Sequence, residues 1–259
     1  MSETFSGLNI LGVRVSAISF DMAIAFVERA IARRERTYIS ACPVSTVLAC
    51  LDSPVARRAV NRAGLVTPDG MPMVWLLEAA GFRHATRVYG PDLMAACCER
   101  GVGFGWRHYF YGGAESVPER LAENLQARFP GLQVAGAYSP PFRPLTSSED
   151  AEIVARINAA APDLVWVGLG SPKQDLWMAE HRALLDAPVL VGVGAAFDFF
   201  TGRVRQAPRW MMRLGLEWFF RLLQEPRRLW RRYLIGNPRF VWNVTLQRLG
   251  LRRFPGGGD

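Results

Sequence analysis

Two short segments combine residue types that could do chemistry. In Thr67-Pro68-Asp69-Gly70, an aspartate follows a short apolar run (residues 64–67) and precedes a helical pattern (70–80). The order predicts strand, turn and helix, with Asp69 at the carboxyl end of the strand. Ligands of parallel α/β sheets bind at that end, and a carboxylate there could take a proton from a hydroxyl as general base. It could equally cap the helix, with Gly70 easing the turn; pattern alone leaves both readings open. In Gly168-Leu169-Gly170-Ser171-Pro172-Lys173-Gln174-Asp175 a strand ends in spaced glycines and Pro172 opens a helix, with Lys173 and Gln174 in its first turn. Lysine is unfavourable at a helix N-terminus because of the dipole. A bound anion would explain it, and so would simple exposure on a well-made turn. Phe110-Tyr111-Gly112-Gly113 is a third candidate, where bare N–H groups at a helix start could meet phosphate. The bland alternative is a tight connection.

Other chemistries find no residues. There is no D-x-D triplet to hold a metal against a nucleotide diphosphate, and His84, His108 and His181 lie far apart. The motifs G-x-S-x-G and G-x-x-x-x-G-K-[ST] are absent. The expectation is a site without metal or cofactor.

The elements that must position these residues alternate. Residues 8–15 read as a strand or hairpin. Residues 20–33 read as a helix capped by Ser19, with Ala23, Ile24, Val27 and Ile31 at helical spacing. Strands are predicted over 37–42, 64–67, 109–111, 132–138, 164–168 and 189–193. Helices are predicted over 54–62, 70–80, 92–100, 116–129 (capped by Ser116), 148–160 and 173–185. Continuous apolar strands joined by helices indicate a parallel sheet covered on both faces.

Near residue 200 the pattern changes to helical text broken at Pro208, Pro226 and Pro238, so a boundary is placed there: an α/β body (1–200) and a helical appendage (201–259). The appendage holds 13 Arg, no Lys and three acids, a balance of +10, against −2 for residues 1–200. It also carries Trp210, Trp218, Trp230 and Trp242. Arg205, Arg209 and Arg213 have the spacing of one helical face; Arg227, Arg228, Arg231 and Arg232 form a second cluster. Such a segment suits an anionic partner beside an apolar one. An anionic bilayer and single-stranded nucleic acid both qualify; the prolines and large apolar residues favour the bilayer. No apolar run approaches the ~18 residues of a spanning helix, so any membrane contact is expected to be peripheral. Cys42, Cys50, Cys97 and Cys98 form no C-x-x-C pair and read as reduced thiols of a cytoplasmic protein without a signal peptide. The end, from Phe254 into Gly256-Gly257-Gly258, reads as frayed.

Taken in order, Thr67–Met71, Arg87-Val88-Tyr89-Gly90-Pro91-Asp92-Leu93, Phe110–Gly113, Gly168–Gln174, Gly202-Arg203-Val204-Arg205-Gln206-Ala207-Pro208-Arg209-Trp210, Gly215-Leu216-Glu217-Trp218 with Arg221, and Glu225-Pro226-Arg227-Arg228 with Arg231-Arg232-Tyr233 resemble the WecG/TagA/CpsF glycosyltransferases, family 26. The likeness runs from about residue 8 to residue 240. It implies a Rossmann-like α/β fold particular to that family. It also implies an inverting, metal-independent transfer from a UDP-sugar to a polyprenyl-diphosphate-linked sugar, by a peripheral protein of the cytoplasmic membrane face. The family's base falls on Asp69, and an arginine near the acceptor diphosphate falls on Arg87. Donor contacts are expected from Ser40, Gly112, Gly113, Gly170, Lys173 and Gln174. Acceptor-diphosphate or membrane contacts are expected from Arg203, Arg205, Arg209, Arg213, Arg221, Arg227, Arg228, Arg231 and Arg232. Many members carry Thr and, two residues on, Asn, where this chain reads Ser40-Ala41-Cys42-Pro43. That departure leaves UDP-glucose and UDP-N-acetylmannosamine both open as donors. Self-association is open too.

Overall fold

The computed structural model describes residues 5–256. In chain order its elements are β1 (Gly7–Ile10), β2 (Val13–Ser16), α1 (Phe20–Ala32), β3 (Thr37–Cys42), α2 (Val44–Asp52), α3 (Pro54–Asn61), β4 (Leu65–Pro68), α4 (Met71–Ala79) and α5 (Gly90–Phe104). Next come β5 (Arg107–Gly112), α6 (Val117–Arg128), β6 (Gln133–Tyr138), α7 (Ser147–Ala159), β7 (Leu164–Gly168), α8 (Lys173–His181), β8 (Val189–Gly192) and α9 (Ala196–Phe200). The remaining described elements are helical: α10 (Arg209–Arg213), α11 (Glu217–Gln224), α12 (Pro226–Trp230), a π-helical turn (Arg231–Ile235) and α13 (Gly236–Arg248).

Six strands form one parallel sheet in the order β4-β3-β8-β7-β5-β6, and β1 and β2 form a separate antiparallel hairpin. Strand residues alternate between two cores. Tyr109, Tyr111, Val165 and Val167 pack with Trp177 and Met178 of α8 on one face. Phe110 and Trp166 pack with Val27, Leu121 and Phe197 on the other. Burial on both sides is why these strands read as unbroken apolar runs. The chain winds one way from β5 to β6 and the other way from β7 to β8, so its direction reverses between β5 and β7. Two glycines let these strands meet there. The Gly113 N–H donates to the Gly168 carbonyl at 3.0 Å, and a Cβ on Gly112 would lie 2.7 Å from the Gly168 carbonyl carbon.

Ser19 caps α1 as expected, its hydroxyl accepting from the Met22 N–H at 3.2 Å. Ser116 does not cap α6: its own backbone is left-handed (φ 62°) and its side chain makes no capping bond. The turn is closed instead by the Val117 N–H on the Ala114 carbonyl at 3.0 Å. Helix α2 escaped the sequence reading because Pro43 at its N-cap offers no side-chain acceptor. Helix α8 stops at His181 rather than running to 185. All four cysteines are buried and free.

The segment beyond residue 200 rests on the α/β body. Phe240, Val244 and Phe254 are buried with Ile10, Val13 and Val47, and Ala207 and Met212 with Tyr89. Gln247 accepts from the Leu11 N–H at 3.0 Å and donates to the Asn9 carbonyl at 2.9 Å. Asn9 also donates to the Phe254 carbonyl at 2.8 Å. Phe254 is therefore anchored, not frayed; residues 257–259 lie outside the described residues. Arg205, Arg209 and Arg213 do not share one helix, since Pro208 sits outside the helical region as the N-cap of α10 and leaves Arg205 before it. Pro238 does not break the chain into two helices either. It falls in the first turn of α13, after a π turn in which the Gly236 N–H reaches back to the Arg231 carbonyl. The looser turn accommodates a residue that cannot donate.

Candidate active site

The turns after β3, β4, β5, β7 and β8 converge at the carboxyl edge of the sheet. With α4, α11, α12 and α13 they enclose a cavity of about 1450 Å³. An ordinary small-molecule site holds ~300–1,000 Å³, so this cavity has room for two ligands at once. Its wall carries seven cationic side chains (Arg87, Arg143, Lys173, Arg221, Arg228, Arg232, Arg248) against three carboxylates (Asp69, Asp198, Glu217). That excess is suited to phosphate-bearing ligands.

Asp69 follows β4 directly. The Gly70 backbone (φ 138°, ψ 145°) is one that only glycine adopts freely, and it turns the chain into α4. Gly70, not Asp69, is the N-cap residue of α4, and the Asp69 carboxylate makes no capping bond there. It faces the cavity, 15% exposed. Its pKa is raised to about 6, first by burial; Arg87 opposes the shift and Glu217 adds to it. A carboxylate poised near the working pH is the type of group that can accept a proton in a transition state.

Arg87 reaches Asp69 because the Val88 N–H donates to the Pro68 carbonyl at 3.1 Å, laying its segment beside β4. Arg87 Nη2 is 3.6 Å from Asp69 Oδ1 but 2.5 Å from Glu217 Oε2. Its guanidinium lies over the Tyr89 ring, 4.1 Å from the centroid. The Tyr89 hydroxyl donates to Glu217 Oε1 at 3.1 Å. Among the described residues, the buried Nε atoms of Arg87 and Arg221 have no acceptor, leaving donors beside the cavity.

On the side formed by β5 and β7, the wall includes Gly113, Ala114, Gly168, Leu169, Gly170 and Lys173. Lys173 stands at the start of α8, its Nζ 5.3 Å from the centroid of the Phe142 ring. Three donor candidates are placed differently from expectation. Gly112 lies behind the wall, packed on Gly168. Ser40 is fully buried and donates to Asp175 Oδ1 at 2.6 Å, so its hydroxyl braces α8 rather than meeting a sugar. Gln174 lines the cavity, but its Oε1 accepts from the Gly194 N–H at 3.0 Å and fixes the β8–α9 turn.

The appendage arginines divide. Arg221, Arg228 and Arg232 line the cavity, while Arg203, Arg205, Arg209, Arg213, Arg227 and Arg231 do not. Arg203 lies 3.6 Å from Asp198, and Arg209 3.0 Å from Asp92. Glu217 and Arg248 were not singled out from the sequence. An acid in a first helical turn reads as an ordinary complement to the dipole, and a lone arginine on α13 carries no signal of its own. The cavity mouth is apolar: Trp75, Leu214 and Val241 line it and stay 47%, 60% and 62% exposed.

Fold and cavity define a Rossmann-like α/β protein with a predominantly cationic cavity at the carboxyl edge of a parallel sheet. The chain matches the glycosyl transferase WecG/TagA/CpsF family model over residues 8–254 and belongs to that family. An N-acetylglucosaminyldiphosphoundecaprenol N-acetyl-beta-D-mannosaminyltransferase of Bacillus spizizenii is 33% identical over 194 residues, covering 75% of this chain and 73% of the relative. A Bacillus subtilis protein of the same name is 30% identical over 196 residues, with the same coverage of each chain.

Proposed function

We propose that this glycosyltransferase moves N-acetylmannosamine from its UDP derivative to an N-acetylglucosamine borne on a polyprenyl diphosphate, with inversion and without a metal ion. Both relatives are named for N-acetyl-beta-D-mannosaminyl transfer to that class of lipid. Nothing supports UDP-glucose, the other donor expected from the sequence.

The observation that carries the reading is a half-buried carboxylate with a raised pKa, facing a cavity for two ligands whose wall is cationic. In the proposed step Asp69 takes the proton of the acceptor hydroxyl, and that oxygen bonds to the anomeric carbon. The bond from that carbon to the UDP oxygen breaks on the opposite side, and UDP leaves with the electron pair. Arg87 and Lys173 balance the leaving charge in the role a metal would otherwise fill. Gly113, Gly170 and Lys173 belong to the donor side, at the reversal point of the sheet. Arg221, Arg228 and Arg232 belong to the acceptor diphosphate, beside an apolar mouth that suits a polyprenyl chain.

In this reading residues 1–200 form the catalytic body, and 201–259 complete its cavity and seat it peripherally on an anionic bilayer at the cytoplasmic face. No helix of the described residues is long and apolar enough to cross a membrane. The inward arginines fit a diphosphate better than a nucleic-acid strand. The test is a panel of UDP-sugars offered with a lipid-diphosphate N-acetylglucosamine acceptor. UDP-N-acetylmannosamine should turn over and UDP-glucose should not; the reverse preference defeats the donor assignment. EDTA should leave the rate within twofold, and a large loss restored by magnesium or manganese would defeat the metal-free step.

A further inference from the structure

One atom, Arg87 Nη2, stands between two carboxylates and is held more closely by one of them. It is 2.5 Å from Glu217 Oε2, a charge-assisted hydrogen bond, and 3.6 Å from Asp69 Oδ1, a longer and weaker ion-pair contact. The Tyr89 hydroxyl fixes the other Glu217 oxygen at 3.1 Å, and the Tyr89 ring supports the guanidinium from below. Glu217 is brought in by α11, on the appendage. The preceding turn is locked at Gly215, whose φ of 71° suits glycine and whose Cβ, if present, would meet the Trp75 ring at 2.7 Å. Glu217 is therefore delivered to a fixed spot, not left to solvent; its side chain is 17% exposed.

We propose that Glu217 is a positioning residue that holds Arg87 away from Asp69, so that the carboxylate meeting the acceptor hydroxyl keeps its basicity. This inference rests on the reading of Asp69 as base. An arginine in full contact with a carboxylate stabilises its ionised form and makes it a poorer proton acceptor. Glu217 prevents that by taking the guanidinium for itself, and its own negative charge acts on Asp69 in the same direction. The groups facing Asp69 from the packed elements are Arg87 and Tyr89 from the segment before α5, Glu217 from α11, Arg232 from the π turn and the Cys42 thiol from β3. Within this group Glu217 contacts the body through Arg87 and through the Tyr89 hydroxyl. The base is thus completed in its active form only when the appendage is seated.

The experiment is the pH dependence of kcat/KM for the full chain and three variants. Glu217→Gln keeps the shape and the Tyr89 bond but removes the charge, so Arg87 should turn to Asp69. The acid limb, expected near pH 6 in the wild type from the raised Asp69 pKa, should move to lower pH, and the plateau should fall by roughly 3- to 10-fold because a weaker base transfers the proton less well. Tyr89→Phe, which frees one Glu217 oxygen, should move the limb the same way by less, and it serves if the glutamine variant does not fold. A fall in the plateau with an unmoved limb in both variants makes Glu217 a support for α11 only and overturns the proposal. The underlying reading is separated by Asp69→Asn. If that variant still turns over, the base assignment fails; if it is inactive while the limbs stay put, only the role of Glu217 fails.

Discussion

Asp69 costs the folded state stability at neutral pH. Its pKa rises from 3.8 to about 6 on folding, because burial disfavours the charge more than Arg87 favours it. With the folded pKa above the unfolded one, the favourable contribution of this group is complete below the unfolded value and is lost as pH rises through the folded one. Asp69→Asn, which cannot ionise, should therefore melt higher than the wild type at pH 8. The gap should be on the order of 1–3 kcal/mol, and it should close as pH falls toward 4. Melting curves at the two pH values check this; a variant less stable at pH 8 would mean that the carboxylate supports the fold. At this scale the sequence was partly legible. Asp69 stood out because a charge at a strand end has a topological meaning. Ser40 misled because a hydroxyl beside a site reads the same whether it faces a ligand or braces a neighbouring side chain, while Gln174 lines the cavity and also braces the β8–α9 turn. Glu217 was hidden because its partner, Arg87, lies 130 residues away in sequence.

The elements meet closely at the carboxyl ends of β5 and β7. A Cβ on Gly168 would lie 2.8 Å from the Phe197 ring, and Phe197 is only 1% exposed. The ring has nowhere to go, so Gly168→Ala should destabilise by about 1–3 kcal/mol and push the turn that carries Gly170 and Lys173. Weaker UDP binding by calorimetry, together with a lower Tm, is expected; unchanged UDP affinity would remove this turn from the donor side. Gly170 differs, since a Cβ there meets nothing within 4 Å and only its φ of 76° resists substitution. The sheet was legible because buried parallel strands and glycine-ended turns leave strong patterns. Helix α2 was not, because its N-cap is a proline with no side-chain acceptor. The single arginine face over 205–213 was not either, because spacing cannot report where Pro208 keeps the chain out of a helix.

As a whole the molecule presents two surfaces from one appendage. Arg221, Arg228, Arg232 and Arg248 complete the cavity, while Trp210, Leu223, Trp230, Leu234, Ile235 and Trp242 remain exposed. Large apolar side chains among arginines suit a bilayer interface. Reversing the charge of Arg213, Arg227 and Arg231 should weaken binding to anionic vesicles by about 1 kcal/mol per residue, more so at low salt, and spare activity on a soluble acceptor. Truncation at residue 200 should remove both functions, because it takes away the inner wall and uncovers the apolar patch under Phe240, Val244 and Phe254. Co-sedimentation and UDP release for each variant decide the matter; a truncated chain active on soluble acceptor would leave the appendage an anchor only. The charge contrast at residue 200 made the appendage legible, but not its division into inner and outer arginines, which depends on how it folds back. The central claim concerns the base at the floor of the cavity that this appendage closes. Its most direct test is transfer from UDP-N-acetylmannosamine to lipid-linked N-acetylglucosamine by Asp69→Asn at pH 8, with UDP affinity measured in parallel. Affinity should stay near wild type while turnover falls by ~10²–10⁴, the usual worth of a general base; turnover within threefold of wild type would contradict the account.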